Sequence, residues 1–468
     1  MRRSAADFFR FLVLDTFPTF GIYSSMRNFF EGKKIHFIGV GGISMSALIK
    51  IAARLGAETT GSDQVESERF LELKKQGYKV YVGSNPSFSE RADLVVCTAA
   101  IKTSDPERVA AGEKVISRSR FLSEICALFE KTVAVAGTHG KTTVSAMIAC
   151  CLAASKRPFS AHIGGVVRTF NDTVFLSGSE VFVTEACEYK DSFLSLTPDV
   201  AVVLNAELDH GDYFPDEKSV YRSFSKFVRN VKRGGIAVLG EGVSSHIDDC
   251  AYDEATAYKY GEDFSFEPLE EGEFVLKVKG EPDRRFMTPL KGRHNLYNAA
   301  IAAFVSLKIG VEEDAVRMGL AAFLGVKRRY ERMGSTLGGA VVIHDYAHHP
   351  SEIEAVMRVA REEGKGRLFV VFEPHTYSRT RILFDEFRRV LSGADVLILL
   401  PTYAARETAE MGVGSKELFC ACNAREMYCF SRYDDVKTML DRSAKGHDTV
   451  LILGAGKVEE LALAFSKE

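Results

Sequence analysis

Seven consecutive residues, Gly137-Thr138-His139-Gly140-Lys141-Thr142-Thr143, carry the plainest chemistry in the chain. Glycines let a backbone approach an anion with no Cβ in the way, and the first N–H groups of a following helix add donors and partial positive charge. In such a loop Lys141 reaches the β- and γ-phosphates of a nucleotide, and the Thr142 hydroxyl reaches Mg2+. The strict phosphate-loop pattern has a glycine five residues before Gly140, where this chain has Val135, so the match is to a shortened form. Two later stretches supply what a metal–nucleotide site still needs. EVFVTEACE brings Glu185, and DVAVVLNAELDH ends in Asn205, Glu207, Asp209 and His210. A carboxylate suits hard Mg2+ and imidazole is a softer ligand, so Glu185 ranks ahead of His210. In GRHNLYNAAIAA, His294, Asn295 and Asn298 open a helix, and the two asparagines, three apart, share a face. A last group holds Asp345, His348 and His349 after one apolar run, and His375, Tyr377, Arg379 and Arg381 after the next. Charged and imidazole side chains repeated after consecutive strands read as a functional cluster.

The elements that must position these residues are legible around them. Thr132–Ala136 is a β-branched strand entering the loop, and the small and apolar residues from Lys141 onward form the helix that leaves it. In open parallel sheets ligands sit beyond the carboxyl ends of the strands, where Glu185 and the group from Asn205 to His210 would meet the loop. Nearer the start, KIHFIGVGGISMSALIKIAARLGAETTGSD reads as a strand, the turn Gly39-Val40-Gly41-Gly42, an amphipathic helix to about Leu55, and a second strand ending in Asp63. That is close to a dinucleotide fingerprint, in which the acid takes a ribose hydroxyl, but Ser44 occupies the third glycine position. The signal is for a diphosphate or nucleotide held by Gly39, Gly41, Gly42, Ile43, Ser44, Ser62 and Asp63. Beyond Lys327-Arg328-Arg329, a strand, a loop and a helix opened by Pro350 begin a further α/β unit.

Length and composition bound the rest. A chain of 468 residues makes about three domains. With 46% hydrophobic residues it can bury real cores. Sixty basic against 63 acidic residues leave a net charge of -3, which excludes a global field for nucleic acid or an acidic membrane and leaves small molecules as partners. Nine cysteines, an odd number with no paired CxxC set, point to a reducing, cytoplasmic setting and away from structural zinc. Residues 1–33 read as an extension, with Met26 an alternative start. Their apolar run Phe8–Phe20 is interrupted by Arg10, Asp15 and Pro18 and falls short of a membrane span, so no stable membrane association is expected. The expected organisation is three α/β domains: a Rossmann-like domain over 34–130, a central phosphate-loop ATPase domain over 131–326, and a Rossmann-like domain over 327–468. The sequence leaves the oligomeric state open.

From Lys34 to Glu468 the chain resembles the Mur ligases. HFIGVGGISMS, AGTHGKTT, EACEYKDSFL, NAELDHGDYF, GRHNLYNA, VKRRYE, DYAHHPSEI and PHTYSRTR carry the resemblance in that order. It implies an enzyme whose first domain holds a UDP sugar, whose second holds ATP, and whose third brings the amino acid. Within the family the motifs look most like those of members that join L-alanine to UDP-N-acetylmuramate in peptidoglycan precursor synthesis. The resemblance further implies that His294, Asn295, Asn298, Arg329 and Asp345 serve ATP with the loop, that Thr142, Glu185 and His210 hold Mg2+, and that His375 contacts substrate. ATP would convert the muramate carboxylate to an acyl phosphate, which the free amine then attacks. Lys141 would gather phosphoryl charge, His348 would take the amine proton, and Arg379 or Arg381 would steady anionic oxygens. Many members have Glu-Ala-Asp-Glu-Ser where this chain has Glu185-Ala186-Cys187-Glu188-Tyr189, so Glu188, Tyr189 and also Lys226 are left without roles. Three rivals stand beside this reading. A nicotinamide oxidoreductase leaves Lys141 and Glu185 idle, a sibling ligase recycles a whole tripeptide onto the same nucleotide sugar, and a silent ATP-binding regulator has no use for the third-domain cluster.

Overall fold

The structure is a computed structural model and describes residues 29–247, 254–405, 407–408 and 413–466. Residues 1–28 of the expected extension, with Met26, lie outside the described residues, as does Cys250. The chain divides into two compact units. One comprises the residues up to Ala206 with Val220–Leu290 and Asn295–Val326; the other comprises Glu207–Ser219, Lys291–His294 and the chain from Lys327 onward.

The first unit contains two parallel-rich sheets. β1 (Lys34–Ile38), β2 (Glu58–Asp63), β3 (Lys79–Val82), β4 (Leu94–Cys97) and β5 (Val115–Ser117) pair in the order β3-β2-β1-β4-β5, all parallel. The order reverses beside β1, so the Gly39–Gly42 turn after β1 lies at the crevice where such sheets bind ligands. Phe30, at the end of the expected extension, is already part of this core, buried and stacked on Phe121 with ring centroids 5.6 Å apart.

The second sheet has the order β12-β11-β10-β6-β9-β7-β8. Its strands are β6 (Lys131–Ala136), β7 (Phe159–Val167), β8 (Asp172–Leu176), β9 (Val181–Glu185), β10 (Val200–Val203), β11 (Ile236–Leu239) and β12 (Thr256–Lys259), and only the β7–β8 hairpin is antiparallel. β6 is central because its apolar residues are covered on both faces, and the helix it feeds, Lys141–Ala154, is buried along its length after Lys141. Gly319 lets the helix Glu313–Ala321 approach, since a Cβ there would stand 2.6 Å from the Cys151 Cα. A small antiparallel sheet of β13 (Phe264–Pro268), β14 (Glu273–Val278) and β15 (Arg284–Met287) covers part of the same core; nothing in the sequence reading foresaw it.

The second unit is built on β16 (Glu331–Ser335), β17 (Val341–Asp345), β18 (Leu368–Phe372), β19 (Val396–Leu399), β20 (Glu426–Cys429) and β21 (Thr449–Leu453), ordered β16-β17-β21-β18-β19-β20. All pairs are parallel except the edge strand β16 against β17. Two apolar clusters, one on each face, explain why β18, β19 and β21 read as unbroken hydrophobic runs. Among the described residues no helix is long and apolar enough to cross a membrane, and the cysteines there are all free.

Burial sets one property of both units. His162 in β7 and His344 in β17 are lowered to about 3 by burial, with Arg118 and Arg328 adding repulsion. In the unfolded chain they titrate near 6.5, so between these values the unfolded state binds more protons. Stability should therefore be full above about pH 6.5 and fall as pH drops, by about 1.4 kcal/mol per pH unit for each histidine. Melting curves between pH 7 and 5 test this. His344→Leu, at a position where neither ring nitrogen has a hydrogen-bond partner, should flatten the dependence.

Candidate active site

The phosphate loop leaves β6 with β9 on one side and β10 on the other, and each neighbour contributes to it. From the β10 side, Asn205 Oδ1 accepts from His139 N at 2.8 Å, its Nδ2 donates to His139 O at 3.2 Å, and its carbonyl accepts from Thr138 N. Gly137 and Gly140 both have positive φ, +135° and +85°, and a Cβ on Gly140 would stand 2.8 Å from Asn298 Oδ1. Only glycine fits there. This also places Asn298 against the loop, one turn beyond Asn295 on the helix Arg293–Lys308. His294 opens that helix and is exposed.

From the β9 side come two carboxylates. Lys141 Nζ lies 3.0 and 2.9 Å from the two oxygens of Glu188, and it also donates to the carbonyls of Gly137 and Thr138. Burial disfavours the Lys141 charge, but Glu188 outweighs it and holds the ammonium above its ordinary range. The pair corrects one expectation. The sequence assigns Lys141 to phosphate alone, whereas here it is tied to the protein as well; its side chain is 17% exposed and that of Glu188 4%. Glu188, left without a role by sequence reasoning, is the resting partner of the phosphate-loop cation.

Glu185 pairs in register with Val135, so it ends beside the start of the loop. Gly164 and Gly165 of β7 run past it. A Cβ on Gly164 would stand 2.7 Å from Glu185 Oε2, a Cβ on Gly165 would stand 3.2 Å from Thr142 Cγ2, and Gly164 N donates to Glu185 Oε1. Thr142 and Glu185 thus border one glycine pair that the sequence reading missed. A hydroxyl and a carboxylate are hard oxygen donors, and they fit Mg2+. His210 belongs to the other unit, with positive φ and its Nε2 3.8 Å from Asp209 Oδ2.

At the first sheet the glycine turn is held by its own acid. Asp63 Oδ2 accepts from Gly41 N at 2.8 Å and Oδ1 from Val65 N, so the carboxylate shapes the turn. A Cβ on Gly41 would meet Ser67 Oγ at 2.7 Å and Asp63 Oδ2 at 2.9 Å. Ser62 does not face a ligand as expected. It is buried in β2 and donates to the buried Glu107, because alternate residues of a covered strand point inward. The helix Ile43–Arg54 begins after Gly39 and Gly42 with no side-chain cap, and Ser44 Oγ accepts from Arg118 Nη1 at 3.1 Å and lies 3.3 Å from His162 Nε2. Arg118 stood outside every motif.

In the second unit β17 and β18 end in a dense polar group. His348 Nδ1 lies 2.9 Å from Tyr346 O; a carbonyl only accepts, so Nδ1 carries the proton and Nε2 the lone pair. Arg379 Nη1 lies 3.0 Å from His375 Nδ1; guanidinium only donates, so here Nδ1 holds the lone pair and Nε2 the proton. The rings, 5.8 Å apart, present opposite polarities. Burial and then Arg379 lower His348 to about 3 and His375 to about 4. The rest of the Arg379 fork is engaged by Asp209, Nε to Oδ1 at 2.7 Å and Nη2 to Oδ2 at 3.2 Å. Arg379, expected to steady anionic oxygens, thus has its fork occupied by Asp209 and His375. Burial opposes the Asp209 charge, yet Arg379 holds its carboxyl well below the ordinary range. Arg381, two residues along the helix Tyr377–Ile382, is exposed and cannot share the face of Arg379. Asp345, buried at the end of β17, accepts from Tyr330 N and Ala347 N and is raised to about 6 by burial. The Arg329 guanidinium carbon lies 5.3 Å from the Tyr346 ring centroid.

A glycine-cradled lysine at the carboxyl edge of a parallel sheet, with hydroxyl and carboxylate beside it, defines a phosphate-loop nucleotide enzyme of the α/β class. The comparisons narrow that class. The Mur ligase family catalytic domain matches residues 34–130, the Mur ligase middle domain 135–306, and the Mur ligase glutamate ligase domain 328–456. The chain belongs to the Mur ligase family. It is 34% identical over 440 residues to the UDP-N-acetylmuramate–L-alanine ligase of Lachnospira eligens, covering 91% of this chain and 96% of that one. The enzyme of the same name from Agathobacter rectalis is 35% identical over 443 residues, with 91% and 96% covered. Among solved structures, UDP-N-acetylmuramate–alanine ligase from Thermotoga maritima superposes with a TM-score of 0.76 at 24% identity over 92% of this chain and 98% of that one. A murein peptide ligase from Psychrobacter arcticus gives 0.72 at 23%, covering 93% and 98%. These two establish the three-domain α/β fold.

Because Lys141 neutralises a buried carboxylate, Lys141→Ala should both abolish ATP turnover, by about 10²-fold or more, and destabilise the protein by about 1–3 kcal/mol. Adding Glu188→Gln should restore the melting temperature and leave ADP release absent. A double variant as unstable as the single would show that the pair carries no structural weight.

Proposed function

We infer that this chain joins L-alanine to UDP-N-acetylmuramate at the expense of ATP, through an acyl phosphate, as a step in peptidoglycan precursor synthesis. The observation that carries the reading is that ligases of this name align with 91% of the chain and 96% of their own length. The site chemistry agrees with it. A phosphate loop serves the activation of a carboxylate, and a pair of neutral histidines of opposite polarity suits a small molecule bearing both an amine and a carboxylate. We further propose that residues 34–130 hold the nucleotide sugar, 131–326 ATP and 327–468 the amino acid, and that the protein acts in the cytoplasm on small molecules, without nucleic acid or membrane partners.

Each residue then has a task. Lys141, released from Glu188, turns to the β- and γ-phosphates. Thr142 and Glu185 would hold Mg2+, which would supply positive charge against the phosphates, and His210 stays a proposed ligand. Asn295, Asn298, His294, Arg329 and Asp345 orient the nucleotide. The Gly39–Ser44 turn takes the diphosphate of the sugar at the uncapped helix start, with Arg118 beside it. The alanine amine attacks the acyl phosphate carbonyl, the tetrahedral intermediate expels phosphate, and the amine proton passes to the lone pair on His348 Nε2. The His375 Nε2–H faces an anionic oxygen, and Arg381 remains a candidate for the same task.

Purified protein should release ADP and phosphate only with ATP, Mg2+, UDP-N-acetylmuramate and L-alanine all present, and mass spectrometry should show alanine joined to the nucleotide sugar. Faster turnover with the tripeptide L-alanyl-γ-D-glutamyl-diaminopimelate would move the assignment to the recycling ligase. A nicotinamide absorbance change would return it to a reductase, and no turnover with any substrate would leave an ATP-binding regulator. The pH profile gives a second check. With His348 lowered to about 3, its acceptor form is present throughout the working range, so kcat/KM for alanine should rise with pH from 6 to 8 as the amine deprotonates, with no break near 6.5. A break there would show that a histidine of ordinary pKa limits the reaction.

A further inference from the structure

His375 and His348 can face an amino acid with opposite polarities only if something fixes which nitrogen of His375 bears the proton. The structure shows a chain of contacts that does so. Asp209, buried, engages Arg379 through Nε and Nη2, the edge away from His375, and the remaining nitrogen Nη1 donates both to His375 Nδ1 at 3.0 Å and to His375 O at 3.1 Å. A fork held on two sides cannot rotate about its bond to Cδ, so Nη1 stays on the histidine.

The segment that carries Asp209 is itself fixed within this unit. Ser351 Oγ donates to Glu207 Oε2 at 2.9 Å, His349 Nε2 lies 3.3 Å from Leu208 O, and Gly211 packs against the end of the Ile382 side chain. Asp209 Oδ1 also accepts from His210 N at 2.7 Å. The carboxylate is therefore oriented by backbone on one side and by guanidinium on the other. No sequence motif joined Asp209 to the amino-acid group.

We propose that Asp209 is a positioning residue of the amino-acid site: by clamping the Arg379 fork it sets the His375 tautomer, so that Nε2–H of His375 and the Nε2 lone pair of His348 together select a molecule with a free amine and a carboxylate. Asp209 itself touches no reacting atom. The proposal rests on the ligase reading above for the identity of the amino acid, while the tautomer can be read without it.

Asp209→Asn is close in size but replaces one acceptor oxygen with an amide that repels Nη2. In an active enzyme it should lower kcat/KM for L-alanine at least about thirtyfold, chiefly through KM, the lower end of the effect of truncating a buried charge pair. KM for UDP-N-acetylmuramate should stay within about twofold, as expected of a site that shares no contacts with it. Arg379→Lys keeps the charge but has no fork, and should reproduce the defect. The double variant should be no worse than the worse single, because both break one chain of contacts. In ¹H–¹⁵N spectra of histidine-labelled wild type, the His375 signal, assigned by its loss in His375→Asn, should report a proton on Nε2 and a lone pair on Nδ1; in Asp209→Asn that preference should be lost. If Asp209→Asn does not fold, Arg379→Lys is read alone by the same two measurements. An unchanged alanine KM, an equal rise in KM for UDP-N-acetylmuramate, additive losses in the double variant, or a wild-type His375 protonated on Nδ1 would each overturn the proposal. A wild type inactive with alanine would instead overturn the ligase reading, and the spectra would still decide the role of Asp209.

Discussion

A cation lodged in a cradle built for anions is the constraint on which the first unit turns. A loop of this kind keeps its lysine near enough to reach bound phosphates, and without them a buried ammonium needs a counter-charge. Glu188 provides it, at 3.0 and 2.9 Å. That demand explains why β9, which carries Glu185 and leads to Glu188, adjoins β6, and why β10, which leads to Asn205, adjoins it on the other side. The glycines follow from the crowding. Gly137 has Leu204 backbone 3.1 Å from where its Cβ would be, Gly140 has Asn298, and Gly164 has Glu185.

The second unit solves a different electrostatic problem with the same economy of charge. An amine can be deprotonated only by a group that is itself unprotonated, and burial with a nearby guanidinium keeps both His348 and His375 neutral. The guanidinium would be an uncompensated buried charge if Asp209 were absent. Neutral histidines are directional in a way that charged ones are not, because one nitrogen donates and the other accepts. The tautomer then carries information, and the hydrogen bond at the opposite nitrogen writes it. Tyr346 O and Arg379 Nη1 write opposite answers on two rings 5.8 Å apart.

Much of this was legible in the sequence, for identifiable reasons. Strands buried on both faces, such as Val133–Ala136 or Leu451–Leu453, are short unbroken apolar runs, and residues that follow them emerge at a common edge of the sheet. That reasoning placed Lys141, Thr142, Glu185, Asp345, His348 and His375 at or after strand ends, where the structure has them. It failed where the signal is a pairing of distant positions. Arg379 and Asp209 are 170 residues apart and Lys141 and Glu188 are 47 apart, and no local spacing announces either. It also failed where side-chain direction decides, as at Ser62, which turns inward to Glu107, and at Arg381, which lies two residues from Arg379 on another face of the helix. The antiparallel β13–β15 went unread because its alternating, partly exposed strands look like polar loop.

Cys187 shows how a departure from the family pattern can leave a site's logic intact. Where the resemblance leads one to expect a further acid, the chain has Glu185-Ala186-Cys187-Glu188. A carboxylate at that position would add a second negative charge beside Lys141. Burial, and then the nearby Glu188, push the Cys187 thiol above its ordinary range, so it stays a neutral, small and weakly polar group. The charge on Lys141 is then met by Glu188 at close range, and Glu185 keeps its carboxylate for Gly164 N and the oxygen-lined corner by Thr142. A neutral group at 187 leaves that pairing as it stands. Glu185 and Glu188, three residues apart, therefore face different partners, Gly164 N for the one and Lys141 Nζ for the other.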